Sequence, residues 1–161
     1  LYRADGAIPN RAMGYTANAA GMYLLSDQNI GTATRGDGCI YTSPEDYLKW
    51  SRALSAGSMF NINNQLNKLK GAIDETRGWY YSMGWFFACR GTAVTEYLHS
   101  GDTSGFTNLV IRLPQQDTLV ACFSNIANNQ PFLNELLQVL KQFSAYFPAS
   151  GLVNELPQLT R

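Results

Sequence analysis

The sequence has no surplus of either charge. Twelve Lys and Arg stand against twelve Asp and Glu in 161 residues, so the formal net charge is zero. A protein whose main partner is nucleic acid needs extra cations to neutralise phosphates, and that class is excluded on charge. Long apolar runs are also missing. None approaches the roughly 20 residues that a membrane-spanning helix requires, and no stretch near Leu1 joins a basic start to an apolar core in the manner of a secretory leader. Histidine is limited to His99, and cysteine to Cys39, Cys89 and Cys122, whose spacing fits no zinc pattern. No metal or other cofactor is expected. An odd cysteine count allows one disulfide at most, and the plainer reading is three small buried thiols. Internal repeats, low-complexity blocks and interdomain linkers are absent. What the chain does hold is apolar mass. Its 45% hydrophobic and 12% aromatic content rules out a disordered chain, and its length allows one domain that buries about 68–70% of its unfolded surface.

Residues 1–35 are rich in Gly, Ala, Asn and Thr, carry no sustained periodicity and read as loops with short pieces of structure. So long a structureless stretch is uncommon inside a compact domain, which leads to the expectation that the chain begins within a larger fold. Residues 43–56 predict a helix. Ser43 can cap it, Pro44 suits its first position, Glu45 and Asp46 favour its positive end, and Gly57 stops it. Tyr47, Trp50 and Leu54 share one face. A second short helix is expected at 62–70 from Ile62, Leu66 and Leu69. The period then changes to two over 79–125. Tyr81, Met83, Trp85 and Phe87 alternate along one expected strand, and Gly91-Thr92 turns into a second at 93–99. Gly101 to Gly105 reads as a turn into a third at 106–113, and Pro114 to Asp117 turns into a fourth at 118–124. Such short connections make antiparallel neighbours. The last two strands are apolar on both faces, so both faces need covering. One cover is a helix over 131–147, with Phe132, Leu133, Leu136, Leu137, Leu140, Phe143 and Phe147 on one stripe and Pro148 ending it. Residues 149–161 read as a loose tail. The fold class is α+β, an antiparallel β-sheet flanked by helices.

Polar chemistry is densest over Tyr97 to Phe106, at a strand end and turn. Two readings stand on spacing alone. One is a polar hairpin turn that holds the sole histidine. The other is a ligand-facing strand end, where Gly101 lets a ligand come close to backbone and His99 and hydroxyls bind a carboxylate or move a proton. Ser104 between glycines loosely echoes the trypsin-like serine, but that chemistry needs a histidine from far upstream, and His99 is five residues away on the adjoining strand. No Gly-x-Ser-x-Gly elbow is present, and Gly36-Asp37-Gly38 lacks the spacing and lysine of a phosphate loop.

His99-Ser100-Gly101-Asp102-Thr103-Ser104-Gly105-Phe106 resembles the His-x-Gly-x-Thr-x-Gly-Phe strand and turn of the serine β-lactamase and penicillin-binding-protein superfamily, above all its class C-like branch. Further segments agree in order. Arg11-Ala12-Met13-Gly14-Tyr15 resembles the Ala-x-Gly-Tyr stretch, and residues 36–46 are similar to the Gly-x-Gly-Gly-Leu-Tyr-Ser-Thr-x-x-Asp helix entry. Tyr81 to Phe86 resembles the Tyr-Gly-Leu-Gly-Trp strand, and Asn125 stands where the last strand usually ends in Asn. The resemblance implies a serine hydrolase that works by acyl transfer on an amide or ester, such as a β-lactam, a D-amino-acid peptide or an ester. It implies no cofactor, and a site in the periplasm or outside the cell.

The resemblance also implies roles. His99 falls where relatives carry the Lys or His that binds substrate carboxylate and tunes the nucleophile. Ser100 becomes a polar substrate contact, Gly101 allows close approach, Thr103 sits beside them at the turn, and the Asp102 amide is one of two oxyanion donors. An aspartate at 102 and a serine at 104 depart from the family pattern, and a carboxylate beside an oxyanion is expected to repel anionic substrates. The family's Ser-x-x-Lys and Tyr-x-Asn are both absent; in family order they precede residue 1. Residues 1–161 are therefore expected to be a single partial domain, the C-terminal half, inactive alone. Its expected partners are the missing N-terminal half, a small-molecule, peptide or ester substrate, and a second copy joined through an open edge at 118–124, with no nucleic acid and no membrane segment. A non-catalytic binding module on the same scaffold is the alternative.

Overall fold

In the computed structural model, which describes residues 8–29, 32, 38, 40–142 and 152, the chain is an α+β protein built on a six-stranded antiparallel sheet. In chain order it runs β1 (Tyr15–Ala17), β2 (Tyr23–Leu25), α1 (Pro44–Ser55), α2 (Ile62–Lys68), β3 (Gly71–Asp74), β4 (Trp79–Ser82), β5 (Trp85–Arg90), β6 (Ala93–Thr103), β7 (Phe106–Leu113), β8 (Thr118–Ser124) and α3 (Gln130–Gln142). The large sheet has the order β3-β4-β5-β6-β7-β8, and β1 pairs with β2 in a separate hairpin. None of the described helices is long and apolar enough to cross a membrane.

Alternation along the strands sorts the core onto two faces. On one, Leu98, Leu109, Ile111 and Leu113 meet Leu133 and Leu137 of α3. On the other, Phe87, Val94 and Tyr97 meet Ile62 and Leu66 of α2. Helix α1 lies on this second face: its Tyr47 packs edge-on against Phe123 of β8, with ring centroids 5.4 Å apart. It begins as the sequence leads one to expect, with Ser43 Oγ accepting from the Asp46 amide and Pro44 in the first turn.

Several expectations need correcting. Tyr81 to Phe87 is not one strand but a hairpin, because Met83 and Gly84 both take positive φ, at 50° and 79°. Two such residues make the tight turn that matches strand twist. The turn shifts the facing pattern. Tyr80, rather than Tyr81, stacks near Phe87, with centroids 5.6 Å apart, while Tyr81 meets Phe86 at 4.8 Å. β3 was not expected at all; four residues beside a Gly and an Asp give little periodicity. The second helix stops at Lys68, and Leu69 is exposed instead of joining the core. The described part of residues 1–35 is loop with one short piece of structure, the β1–β2 hairpin, whose connection is organised by Asn18 Oδ1 accepting from the amides of Ala20 and Met22. Phe132 on α3 is half-exposed. Residues 143–147 and Cys39 lie outside the described part, whereas Cys89 and Cys122 are free, half-buried thiols that burial pushes up in pKa.

Candidate functional site

The expected turn at 101–105 is the end of a strand. β6 runs to Thr103, and only Ser104 and Gly105 turn, the former at φ 48°. Turn-favouring residues at 101 and 102 stay in the ladder because tertiary partners hold them there: Asp102 pairs with Thr107 in register and bonds to it through the side chain.

This extension leaves β6 longer than its neighbour. β5 pairs with β6 only as far as Phe86↔Leu98, while β7 continues to Thr103↔Phe106. Residues 99–103 thus have a strand on one side, and no other described strand pairs with them on the other. The two-residue turn closes on Thr103↔Phe106, and bonded pairs alternate in an antiparallel ladder. Residues 103, 101 and 99 therefore bond across to β7, and the amides of Ser100 and Asp102 point to the unpaired side.

Side chains divide by the same alternation. His99, Gly101 and Thr103 project on the α1 and α2 face; Ser100 and Asp102 project with Leu98 toward α3. His99 is exposed on its outer side, while its ring lies 6.5 Å from Trp85, edge to face. Burial of its inner side pulls its pKa below the ordinary 6.5, which favours the neutral imidazole. In that form it can donate one hydrogen bond and accept one. Because the folded state prefers the neutral ring, its contribution to stability is present above the ordinary pKa and is lost as pH falls through the lowered one. As the sole histidine it gives one imidazole signal in a proton NMR titration. The expected midpoint lies below 6.5, and a midpoint at or above that value contradicts the placement.

Gly101 is not required by packing. A Cβ built there meets nothing within 4 Å, and its φ is ordinary. Gly101→Ala is therefore expected to leave the stability of this chain within about 0.5 kcal/mol of wild type, as read from a urea unfolding curve. Only something placed against the strand's face objects to that methyl.

Asp102 is exposed but turned away from His99. Its carboxylate accepts from Thr107 Oγ1 at 2.5 Å and from Gln130 Nε2 at 2.5 Å, at the entry to α3. The carboxylate thus sits on the opposite face of the strand from His99. Ser100 is half-buried on that same face. Thr103 Oγ1 accepts from Gln28 Nε2 at 3.0 Å and so belongs to the support of the turn.

Sequence reading missed the clamp behind the turn. Gly105 carbonyl and Asn125 carbonyl both accept from the Tyr15 amide, at 3.3 and 3.0 Å, and Asn125 Nδ2 donates to the Met13 carbonyl. Asp27 takes a bidentate guanidinium contact from Arg11 and accepts from the Gly14 amide. That guanidinium holds the Asp27 carboxyl below the usual range and lies 5.1 Å from the Tyr41 ring centroid, while Tyr41 meets Phe106 edge-on. Residues 11–15, singled out only by resemblance, are thus packed against the residues 103–106 end of the site.

On the His99 face, further along the sheet, buried Arg112 bonds Ser55 of α1 and Asp117 at 2.8 Å. It ties α1 to β7 in a small cleft with Tyr47, Trp50 and Tyr97, and burial pushes the Tyr47 phenol up to about 12.

No protein-family model and no curated protein matches this sequence. Among solved structures, a penicillin-binding protein from Bacillus halodurans matches with a TM-score of 0.65 at 20% identity, over 86% of this chain and 44% of that one. The chain therefore has the fold of part of a penicillin-binding protein, and it spans less than half the length of that solved relative.

Proposed function

We propose that residues 1–161 are the C-terminal part of a β-lactamase-related serine hydrolase, and that β6 residues 99–103 form one wall of its cleft. The observation that carries this reading is the unpaired side of β6, with the Asp102 amide pointing out of the ladder beside a glycine that packing does not require. The fold likeness and the residue pattern from His99 to Phe106 support it.

In this reading the attacking serine comes from a Ser-x-x-Lys that these residues do not contain. Its oxygen adds to an amide or ester carbonyl, the leaving group departs protonated, and water then releases the acyl group. This chain contributes one amide to the developing oxyanion, that of Asp102. His99, three residues back along the strand, supplies a hydrogen-bonding group on the α1 and α2 face. Gly101 keeps the strand's face low enough for substrate to lie against it, while Ser100 on the α3 face and Thr103, bonded to Gln28, support the strand end. The substrate is a small amide or ester, of the kind of a β-lactam or D-amino-acid peptide, met in the periplasm or outside the cell. The test is the coding sequence ahead of residue 1. Ser-x-x-Lys followed by Tyr-x-Asn is the expected result. Their absence there favours a non-catalytic module on the same scaffold.

The remaining polypeptide is the chain's main proposed partner. Tyr23, Leu24 and Leu25 are large apolar side chains exposed in succession along β2, a surface that a soluble protein rarely leaves in water. β8 is also an edge of the sheet that no other described strand pairs with. The isolated chain is therefore expected to self-associate at tens of micromolar. Sedimentation velocity should show dimers or larger species, and a clean monomer contradicts the expectation.

A further inference from the structure

Asp102 places its two polar parts on opposite sides of one strand. Its amide points along the sheet to the unpaired side of β6, and its carboxylate points to the α3 face. We propose that the carboxylate is a strap that fixes the direction of its own residue's amide, which makes Asp102 a positioning residue through its side chain; the catalytic meaning of the strap rests on the acyl-transfer reading above.

A strand end that outruns its neighbour has ladder support from one side only and frays readily. Here the missing support comes from below. Thr107 Oγ1–H and Gln130 Nε2–H donate to the two carboxylate oxygens. Thr107 Oγ1 in turn accepts from the Asn129 amide at 3.1 Å, and Asn129 Nδ2 donates to Ser124 Oγ at 3.0 Å. The carboxylate is thereby tied to β7, to β8 and to the entry of α3. Thr107 is almost fully buried, so its hydroxyl has little water to turn to. Hydrogen bonds to an ionised acceptor are stronger than neutral ones, which explains why an acidic residue suits this position. The two donors hold the carboxylate on the α3 face, opposite His99. An oxyanion donor acts by being fixed before the reaction, and a frayed strand end cannot provide that.

The measurement is amide hydrogen exchange by NMR on the nitrogen-15-labelled 161-residue chain, with Asp102→Ala, Asp102→Asn and Thr107→Val. Asp102→Ala and Thr107→Val are expected to speed exchange at residues 101 and 103 at least tenfold, with Leu109 and Ile111 within threefold of wild type. The amide of residue 102 in each variant reports directly whether the strand end is held in one conformation. It should broaden in the alanine variant and stay sharp in the asparagine variant, which keeps an acceptor for Thr107. Exchange unchanged at 101 and 103 in Asp102→Ala overturns the proposal. So does equal acceleration across the whole sheet, which means general destabilisation, and so does an asparagine variant as fast as alanine. No substrate enters this experiment, so its failure is separate from failure of the hydrolase reading, which the coding sequence decides.

Discussion

Gly105→Ala should lower the stability of this chain by about 3 kcal/mol, the upper part of the range for overpacking. A Cβ at residue 105 lies 2.2 Å from the Tyr15 nitrogen, 2.3 Å from the Gly14 carbonyl carbon and 2.5 Å from the Ser26 carbonyl oxygen. All three are backbone atoms, so no rotamer change relieves the contact. Gly14 is also tight from the other side, where a Cβ meets the Phe106 ring at 2.7 Å, Ser26 oxygen at 2.8 Å and the Gly105 Cα at 3.0 Å. Two glycines have brought two chain segments into direct backbone contact, and the Tyr15 amide uses that closeness to bond the Gly105 carbonyl. Separating them loosens the clamp behind the site. Urea unfolding measures the effect, with Gly101→Ala as the control four residues away. Equal midpoints for wild type and Gly105→Ala contradict the packing described above.

Phe87→Ala should cost about 3–5 kcal/mol, the usual penalty for emptying a large aromatic from a sealed core. Phe87 is fully buried between Ile62 and Leu66 of α2 and Val94 and Tyr97 of β6, with Tyr80 stacked beside it. Domains of this size are stable by roughly 5–15 kcal/mol, so the variant is expected to be partly unfolded at 37 °C. Phe132→Ala is the comparison. Its ring is half-exposed at the start of α3, and its loss should stay within about 1 kcal/mol. Thermal melts followed by circular dichroism separate the two, and similar melting points contradict the assignment of the α2-side core.

Both phenylalanines lie in apolar patterns, which shows where sequence reading works and where it stops. Local chemistry was legible. Ser43, Pro44 and Gly57 bracket α1 because caps and breakers act within a turn of their own position. The apolar stretches of β7 and β8, with Pro114 to Asp117 between them, needed no distant partner to be recognised. What lay hidden depends on groups far apart in the chain. Met83-Gly84 reads as strand by alternation, and only its positive φ values make it a turn. The end of β6 reads as a turn because Gly101 and Asp102 favour one, until Thr107 and Gln130 are seen to hold it extended. Arg11 and Asp27 are sixteen residues apart with no period linking them. The candidate site itself was visible only through its resemblance to a known strand and turn. Composition and spacing alone favour a polar hairpin turn for His99 to Phe106.

Acyl-site mapping tests the central claim most directly. The complete polypeptide that contains these residues is treated with a fluorescent penicillin, digested, and the labelled serine located by mass spectrometry, alongside the 161-residue chain treated in the same way. The account expects one adduct on a serine outside residues 1–161 and no label on the isolated chain. An adduct on Ser82, Ser100 or Ser104, or labelling of the isolated chain, contradicts it.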